Sequence, residues 1–378
     1  MRLGDVCKLS KVRNRDGLCT DVYSVTNSQG FIPSVDYFNK EVFSNELRSY
    51  RVVERGMLAY NPSRINVGSI ALQNKADCVV VSPLYVVFSV DERRVLPEYL
   101  LSFLKCGAGL SQISANSIGT VRNNLKFEGL CNITIVLPSL EAQRRRVLLM
   151  REIDRLVRGA RSQLSLLDGL VKSRFVEMFE KSASLKMVRL KDVCSVITDG
   201  THQSPKFQSE GVPFLFVSNI ANNELTYETS KYISLEDYET LIKRTPIEIG
   251  DILVSAVGSF GHPAIVKDER PFCFQRHIAY LKPRQEKVNS VFLHSALLSD
   301  GAQRYMDSAA KGVAQRTVTL NSFKELVIPL PPLSLQQEFA AFAAEVDKSR
   351  VVVQRQVVKY NDVIASSGIA IIGRGELV

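Results

Sequence analysis

The chain has 378 residues, of which 45% are hydrophobic and 23% are charged, with a formal net charge of +9 at pH 7. A single hydrophobic core rarely grows to this size, so we expect two or more domains. The apolar content is enough to bury a core, which excludes a disordered chain.

The cysteines and the start of the chain predict a soluble cytoplasmic protein. The seven cysteines are odd in number, and no two stand at a Cys-x-x-Cys spacing. We therefore expect reduced thiols rather than a disulfide framework. The first residues lack the apolar core of a signal peptide, and apolar runs such as Ile133 to Leu137 are too short to span a bilayer.

Residues 1–138 have the pattern of a mixed globular unit, and a helix is predicted to follow them. Short β-rich runs such as Cys78–Val81 alternate with Gly, Pro and Asn, and Pro97 to Cys106 has the pattern of an amphipathic helix. Beyond Pro138, apolar residues recur at gaps of three and four, which predicts one long helix from Ser139 to about Phe179. The apolar stripe of this helix includes Leu149, Ile153, Leu156, Leu164, Leu167 and Val171.

The second half of the chain repeats the first. Its globular pattern is followed by a second helix from Ser334, whose stripe includes Phe339, Phe342, Val346, Val353 and Tyr360. Because one long amphipathic helix cannot bury its own stripe, we expect the two helices to pair with each other or with a partner protein. The matched segments are Arg2–Cys7 with Arg189–Cys194, Glu54–Leu58 with Glu248–Ile252, Arg122 with Arg316, and Leu137–Gln143 with Pro331–Gln337.

Polar segments between the β-rich runs carry side chains suited to nucleic acid. Asn and Gln can pair bidentately with adenine and Arg with guanine, whereas Ser, Thr and Lys contact phosphate oxygens. Ordinary turns have a similar composition and remain the alternative. The candidates are Asn61, Ser63, Arg64 and Asn66; Arg122, Asn123 and Asn124; Thr198, Asp199, Thr201, His202, Ser204 and Lys206; Gln275 and Arg276; and Lys311, Gln315 and Arg316.

The charge distribution is compatible with a polyanionic partner without requiring one. Lys and Arg outnumber Asp and Glu by 16 to 12 in residues 1–138 and by 11 to 6 in residues 139–186. From residue 187 onward the counts are 21 and 21.

Sequence signatures of catalysis are missing. No phosphate-binding Gly-x-x-x-x-Gly-Lys-Ser/Thr loop occurs, no Lys has an acidic residue two positions before it, and the four histidines stand at no metal-ligand spacing. Asn61-Pro62 is followed by Ser63-Arg64 rather than by the Pro and aromatic residue of amino-methyltransferases. We therefore expect no catalytic residue, no metal and no cofactor on this chain.

The order of motifs within the repeat resembles the specificity subunits of Type I restriction-modification systems. The resemblance covers nearly the whole chain. The segments that carry it are Tyr60–Gly68, Ser82–Tyr85, Asp199–Pro205, Gly250–Leu253 and the proline-led helix starts at Pro138 and Pro332.

The resemblance implies an α+β fold with two tandem target recognition domains, each followed by a long helix. The two helices would form an antiparallel coiled coil between the domains. The implied limits are 1–138 for the first recognition domain, 139–186 for the central helix, 187–332 for the second recognition domain, and 333–378 for the last helix and tail.

The implied function is to read an asymmetric bipartite site in double-stranded DNA. The implied partners are two methyltransferase subunits and the restriction subunits, which would carry S-adenosylmethionine, ATP and Mg²⁺. Two other functions stay open from the residues: a divergent DNA adenine methyltransferase, and a coiled-coil adaptor that binds no DNA.

Overall fold

A computed structural model describes residues 1–27, 29–38, 46–118, 124–180, 185–313 and 315–366. The chain divides into two compact units. The first combines Met1–Ser162 with the chain from Val353 onward, and the second is Gln163–Val352. No described helix is both long and apolar enough to cross a membrane.

The globular part of the first unit mixes strands and helices. The strands are β1 (Cys7–Ser10), β2 (Tyr23–Thr26), β3 (Gly30–Pro33), β4 (Arg51–Glu54), β5 (Leu58–Tyr60), β6 (Ile70–Leu72), β7 (Cys78–Val81) and β8 (Val86–Val90). The helices are α1 (Ser34–Phe38), α2 (Pro97–Lys105), α3 (Gly107–Ala115), α4 (Phe127–Asn132) and the long α5 (Leu140–Phe175), which ends in a π-helical turn, Val176–Glu180.

The main sheet of this unit has the order β1-β8-β5-β6 with antiparallel neighbours. Side chains alternate across it, as the two-residue period of a strand requires. Leu58 and Tyr60 pack into the core that contains Leu100 of α2, whereas Ala59 packs with Val79 and the β4-β7 pair. The sheet is therefore buried on both faces.

The second unit has its own set of elements. Its strands are β9 (Met187–Arg189), β10 (Cys194–Asp199), β11 (Val212–Leu215), β12 (Tyr232–Ile233), β13 (Ile252–Ser255), β14 (Pro263–Ile265), β15 (Cys273–Phe274), β16 (Ile278–Pro283) and β17 (Val327–Pro329). Its helices are α6 (Leu190–Val193), α7 (Leu235–Leu241), α8 (Ser290–Leu297), α9 (Asp300–Ala309), α10 (Leu320–Glu325) and α11 (Leu333–Ser366).

The repeat predicted from the sequence is confirmed in the strand order. The main sheet of the second unit runs β10-β16-β13-β14, again antiparallel, so each of its strands has a counterpart in β1-β8-β5-β6. The strands of a smaller sheet, β12-β11-β15, lie between β10 and β16 in the sequence. The α+β class is therefore observed in both units.

A buried glutamine joins each long helix to its globular part. In the first unit, the Gln143 side-chain oxygen accepts from the Leu96 backbone N–H (2.9 Å), and its nitrogen donates to the Arg94 and Pro138 carbonyls. In the second unit, Gln336 makes the same contacts with the N–H of Asn289 and the carbonyls of Lys287 and Pro331. Both glutamines are fully buried.

This pair of contacts corrects the alignment made from sequence. Matching Leu137–Gln143 with Pro331–Gln337 placed Gln143 opposite Gln337. The structure places it opposite Gln336, an offset of 193, and leaves Gln337 exposed. The adjacent glutamines are chemically alike, so only burial distinguishes them.

The two long helices contact each other within each unit. In the first unit, Ile153 and Val157 of α5 pack with Tyr360 and Ile364 of α11. In the second, Phe175 of α5 and Phe339 of α11 are 5.6 Å apart between ring centroids, and Arg174 forms an ion pair with Glu338 at 3.1 Å. In the second unit, ion pairs join Asp168 to Arg350 and Arg174 to Glu338, so the two helices run antiparallel there.

The predicted apolar stripes are only partly buried. Ile153, Phe339 and Val346 are buried, and the half-buried members are Leu156, Leu164, Leu167, Val171, Phe342, Val353 and Tyr360. Leu149 is 50% exposed, and the neighbouring Val147 and Met150 are buried instead. The predicted domain limits at 138 and 332 coincide with the helix starts, whereas the compact units divide inside α5 and α11. Those limits stay a prediction.

The expectation of reduced cysteines is wrong for one pair. Cys19 and Cys78 form a disulfide with Cα atoms 6.3 Å apart. The buried Asn14 side chain fixes the loop that carries Cys19, since its amide donates to the Cys19 carbonyl (2.7 Å) and its oxygen accepts from the Cys19 N–H. Spacing along the chain could not reveal a contact between residues 59 positions apart.

We expect Gln336→Ala to lower the free energy of unfolding by about 2–4 kcal/mol, because it leaves one N–H and two carbonyls without their partner in a buried site. The matched control is Gln337→Ala, which removes an exposed side chain and should change stability by less than about 0.5 kcal/mol. Urea unfolding of the full chain measures both. Equal losses for the two variants would contradict the register given above.

For the disulfide, the oxidised, denatured chain should expose five reactive thiols, and the reduced chain all seven. Because the bond closes a long loop, Cys78→Ser should lower the free energy of unfolding by about 4 kcal/mol. Reduction of the wild type should have the same effect, and reduction of Cys78→Ser should have none. Seven thiols in the oxidised protein would show that the bond does not form.

Candidate DNA-recognition surface

One edge of the main sheet in the second unit gathers the polar segments. Asp199, the last residue of β10, pairs with Ala279 near the start of β16. Ser255, the last residue of β13, pairs with Ile278 at the start of β16. The segments that follow β10 and β13 and precede β16 therefore emerge side by side, and we call this edge the polar edge.

The segment after β10 is tied to the segment before β16. Thr201 forms a bridge with Gln275, its N–H donates to the Phe274 carbonyl (2.9 Å), and its carbonyl accepts from the Arg276 N–H (3.0 Å). Gly200 allows this approach, because a Cβ there would lie 2.3 Å from the Phe274 carbonyl oxygen. His202, Ser204, Lys206 and Arg276 are exposed, whereas Thr198, Thr201 and Gln275 are half-buried.

An ion cluster holds the end of β10. One Asp199 oxygen accepts from Arg244 (2.6 Å), and the other lies 2.9 Å from Nε2 of His202. The Asp199 side chain is only 16% exposed, whereas those of Arg244 and His202 are about half exposed. Both carboxylate oxygens are thus engaged by the protein, and the two basic side chains form the outer surface.

A hairpin adds a second basic group to the polar edge. Lys311 and Thr317 exchange backbone hydrogen bonds, and the Gly258 N–H after β13 donates to the Arg316 carbonyl (3.0 Å). The Arg316 guanidinium forms an ion pair with Asp307 (2.8 Å) and lies 5.2 Å from the centre of the Phe260 ring. Lys311 and Gln315 are exposed beside it.

The same edge exists in the first unit with other side chains. Asn61 follows β5 and its side-chain oxygen accepts from the Ser63 N–H and hydroxyl (3.1 and 2.9 Å). Ser63, Arg64 and Asn66 are exposed. Asn124 is also exposed, and its bridge with Ile118 corresponds to that of Thr317 with Lys311 at the offset of 193. The segment carrying Asn124 joins this edge, because the Leu125 N–H donates to the Pro62 carbonyl (3.0 Å).

Two candidates from the sequence, Arg122 and Asn123, lie outside the described residues. The others fall on the polar edge of one unit or the other. Among the described residues, no group of His, Cys, Asp and Glu side chains is arranged to hold a metal ion.

Arginine and lysine supply the positive charge of this surface in the second unit. His262 lies near Ser259 after β13, but burial lowers the pKa of its imidazole, so we expect it to be neutral at pH 7. Its ring joins Ser259 to Asn223 through hydrogen bonds of 3.0 Å. It therefore acts as a structural link.

Comparison with known proteins shows what this chain is similar to. Residues 184–356 match the family model of the Type I restriction modification DNA specificity domain. The chain is 28% identical over 175 residues to the EcoBI specificity subunit of Escherichia coli, a match that covers 44% of this chain and 36% of that subunit. It is 23% identical over 354 residues to the MjaVIII specificity subunit of Methanocaldococcus jannaschii, covering 88% and 77%. The second half of the chain therefore matches the specificity-domain family, and these relatives are Type I restriction-modification specificity subunits.

Solved structures share the fold of this chain. The S subunit of M. genitalium matches with a TM-score of 0.58 and 14% identity, over 100% of this chain and 96% of that one. A chain solved in a study of assembly and conformational transition of the type I R-M system matches with a TM-score of 0.58 and 20% identity, over 100% and 97%.

Sequence reasoning missed Arg244. Arg244 follows α7, 45 positions from Asp199, and no motif connects the two. The sequence did place Asp199 and His202 together in one loop. It could not show that Arg244, which follows α7, contacts both residues.

Proposed function

We propose that this chain is a Type I specificity subunit and that it reads an asymmetric bipartite site in double-stranded DNA, one half-site with each unit. The observation that carries the proposal is that the same polar edge is built twice, on sheets of the same topology. Each edge presents amide, hydroxyl and basic groups, which are the groups that contact base edges and phosphates. In this proposal each unit contains one target recognition domain.

The two edges differ in chemistry, which supports an asymmetric target. Asn61, Ser63, Arg64 and Asn66 stand after β5 in the first unit, and different residues stand after β13 in the second. Identical readers related by symmetry would favour a palindrome, whereas unlike readers favour unlike half-sites.

We also propose that α5 and α11 form an antiparallel coiled coil between the recognition domains. The contacts of Ile153 with the end of α11, and of Phe175 with its start, support this arrangement. Exposed apolar residues on these helices are suited to contacts with two methyltransferase subunits and the restriction subunits. They include Leu148, Leu149, Leu166 and Leu170 in α5 and Val351, Val352 and Val358 in α11.

In this proposal the chain supplies recognition and carries no catalytic residue or cofactor. S-adenosylmethionine, ATP and Mg²⁺ belong to the partner subunits, and the complex acts in the cytoplasm. Of the two alternatives, a methyltransferase would bind S-adenosylmethionine as the isolated chain. An adaptor would show no salt-dependent affinity for DNA, whereas phosphate contacts make the affinity fall steeply with salt.

Exchange of residues 1–138 for the first domain of another family member tests the proposal. Gln143 contacts this segment through backbone atoms of Arg94, Leu96 and Pro138, so a domain with other side chains can still dock on it. With the partner subunits present in cells, genome-wide mapping of adenine methylation should show one half-site changed and the other kept. A change in both half-sites, or in neither, would refute one reader per unit.

Gly312→Ala should weaken DNA binding by about tenfold, equivalent to about 1.4 kcal/mol. Gly312 has a φ of +111°, and a Cβ there would lie 2.5 Å from the Gln315 carbonyl oxygen, so alanine must displace the exposed hairpin. Gly301→Ala is the control, because a Cβ at that position meets nothing closer than 4.0 Å. Filter binding measures both variants, and a urea titration checks that they stay folded. Unchanged affinity for Gly312→Ala would exclude the hairpin from the DNA contact.

A further inference from the structure

The ion cluster of Asp199, His202 and Arg244 differs from an ordinary surface ion pair, because its acidic side chain is largely buried. Exposed ion pairs contribute little to stability, since two mobile side chains must be immobilised to form them. Here the carboxylate is that of Asp199, the last residue of β10. The position of the carboxylate is therefore fixed by the sheet.

The backbone beneath Arg244 is also fixed. Arg244 lies in a turn after α7, in which its N–H donates to the Leu241 carbonyl. The next residue, Thr245, is buried, and the Pro246 carbonyl accepts a hydrogen bond of 2.8 Å from the hydroxyl of Tyr280. Tyr280 belongs to β16, so this turn and the carboxylate are held by neighbouring strands of one sheet.

Hydrogen-bond chemistry sets the direction of each group. Nη2 of Arg244 donates to one Asp199 oxygen at 2.6 Å and lies 3.5 Å from Nε2 of His202. The shorter contact, with the carboxylate, therefore orients the guanidinium of Arg244. Within the described residues, Nε and Nη1 of Arg244 have no hydrogen-bond partner.

We propose that Arg244 reads a guanine in the major groove and that Asp199 is the positioning residue that holds its guanidinium. This inference rests on the proposed function and names one residue pair within it. A guanidinium held by one Nη2 proton still offers donors in the fork that matches O6 and N7 of guanine. Holding the fork in advance reduces the entropy lost on binding, which favours a directional contact.

The charges around Arg244 favour a base over a phosphate. Because Asp199 neutralises Arg244, the pair attracts a phosphate less than an unpaired cation would. Lys206 and Arg276 are exposed, and among the described residues neither has an ion-pair partner. The Arg276 N–H bonds to the Thr201 carbonyl, two residues after Asp199, so Arg276 lies on the same edge and is the better phosphate ligand. Arg244 is left to discriminate between bases.

The test uses the full chain and the sequence that methylation mapping assigns to the wild type. Arg244→Lys keeps the charge and removes the fork, and it should relax one guanine position in the half-site of the second unit. Asp199→Asn should relax the same position more weakly. Arg270→Met is the control. Arg270 follows β14 and stacks on the ring of Tyr227. The last residue of β14, Ile265, pairs with Ile252 at the start of β13, which is the end of that strand away from the polar edge. Arg270→Met should leave the recognised sequence unchanged.

Substituted DNA separates a base contact from a phosphate contact. Replacing that guanine with 7-deazaguanine removes N7, and it should weaken binding of the wild type by about tenfold while leaving Arg244→Ala unaffected. If Arg244 contacts phosphate, Arg244→Lys will keep the recognised sequence and the analogue will act equally on both proteins, which overturns the proposal. The proposal would also be overturned if the half-site read by the second unit contained no guanine. Failure of the proposed function is distinct, because the wild type would then recognise no sequence.

Discussion

The side-chain amide of one buried glutamine fixes the first turn of each long helix against its globular part. Among the described residues, Gln143 and Gln336 each bond to three backbone groups and to no side chain. A buried amide left without these partners would be costly, so the helix start has one favoured position relative to the sheet. Because the bonds go to backbone atoms, the same joint tolerates change in the sequence around it.

This joint explains how the two units keep one fold while their surfaces differ. The strands of both main sheets pair in the same order, and their buried residues pack against helices that follow at an offset of about 193. The side chains at the polar edges can differ between the two units, because they lie in segments between strands. The fold therefore separates the residues that maintain the domain from those that can change a recognised sequence.

The sequence predicted the features that depend on local periodicity or on repetition. Both long helices, the duplication and the α+β class were predicted because each produces a pattern along the chain. The Cys19–Cys78 bond and the contact of Arg244 with Asp199 join distant positions and leave no such pattern. Gly250–Leu253 was among the segments that carried the family resemblance, yet the buried Asp251 accepts from Tyr280, so part of that motif maintains the core.

The neutral balance of the second half of the chain is consistent with sequence reading. Acidic residues at its polar edge pair with two of its arginines, Asp199 with Arg244 and Asp307 with Arg316. Each pairing lowers the general attraction to phosphate and orients a guanidinium, so net charge is a poor measure of specificity. Residues 1–186 contain 27 basic and 18 acidic residues, so the whole net positive charge of +9 lies there. On the proposed function, both units discriminate between bases, whereas the general attraction to phosphate comes mainly from residues 1–186.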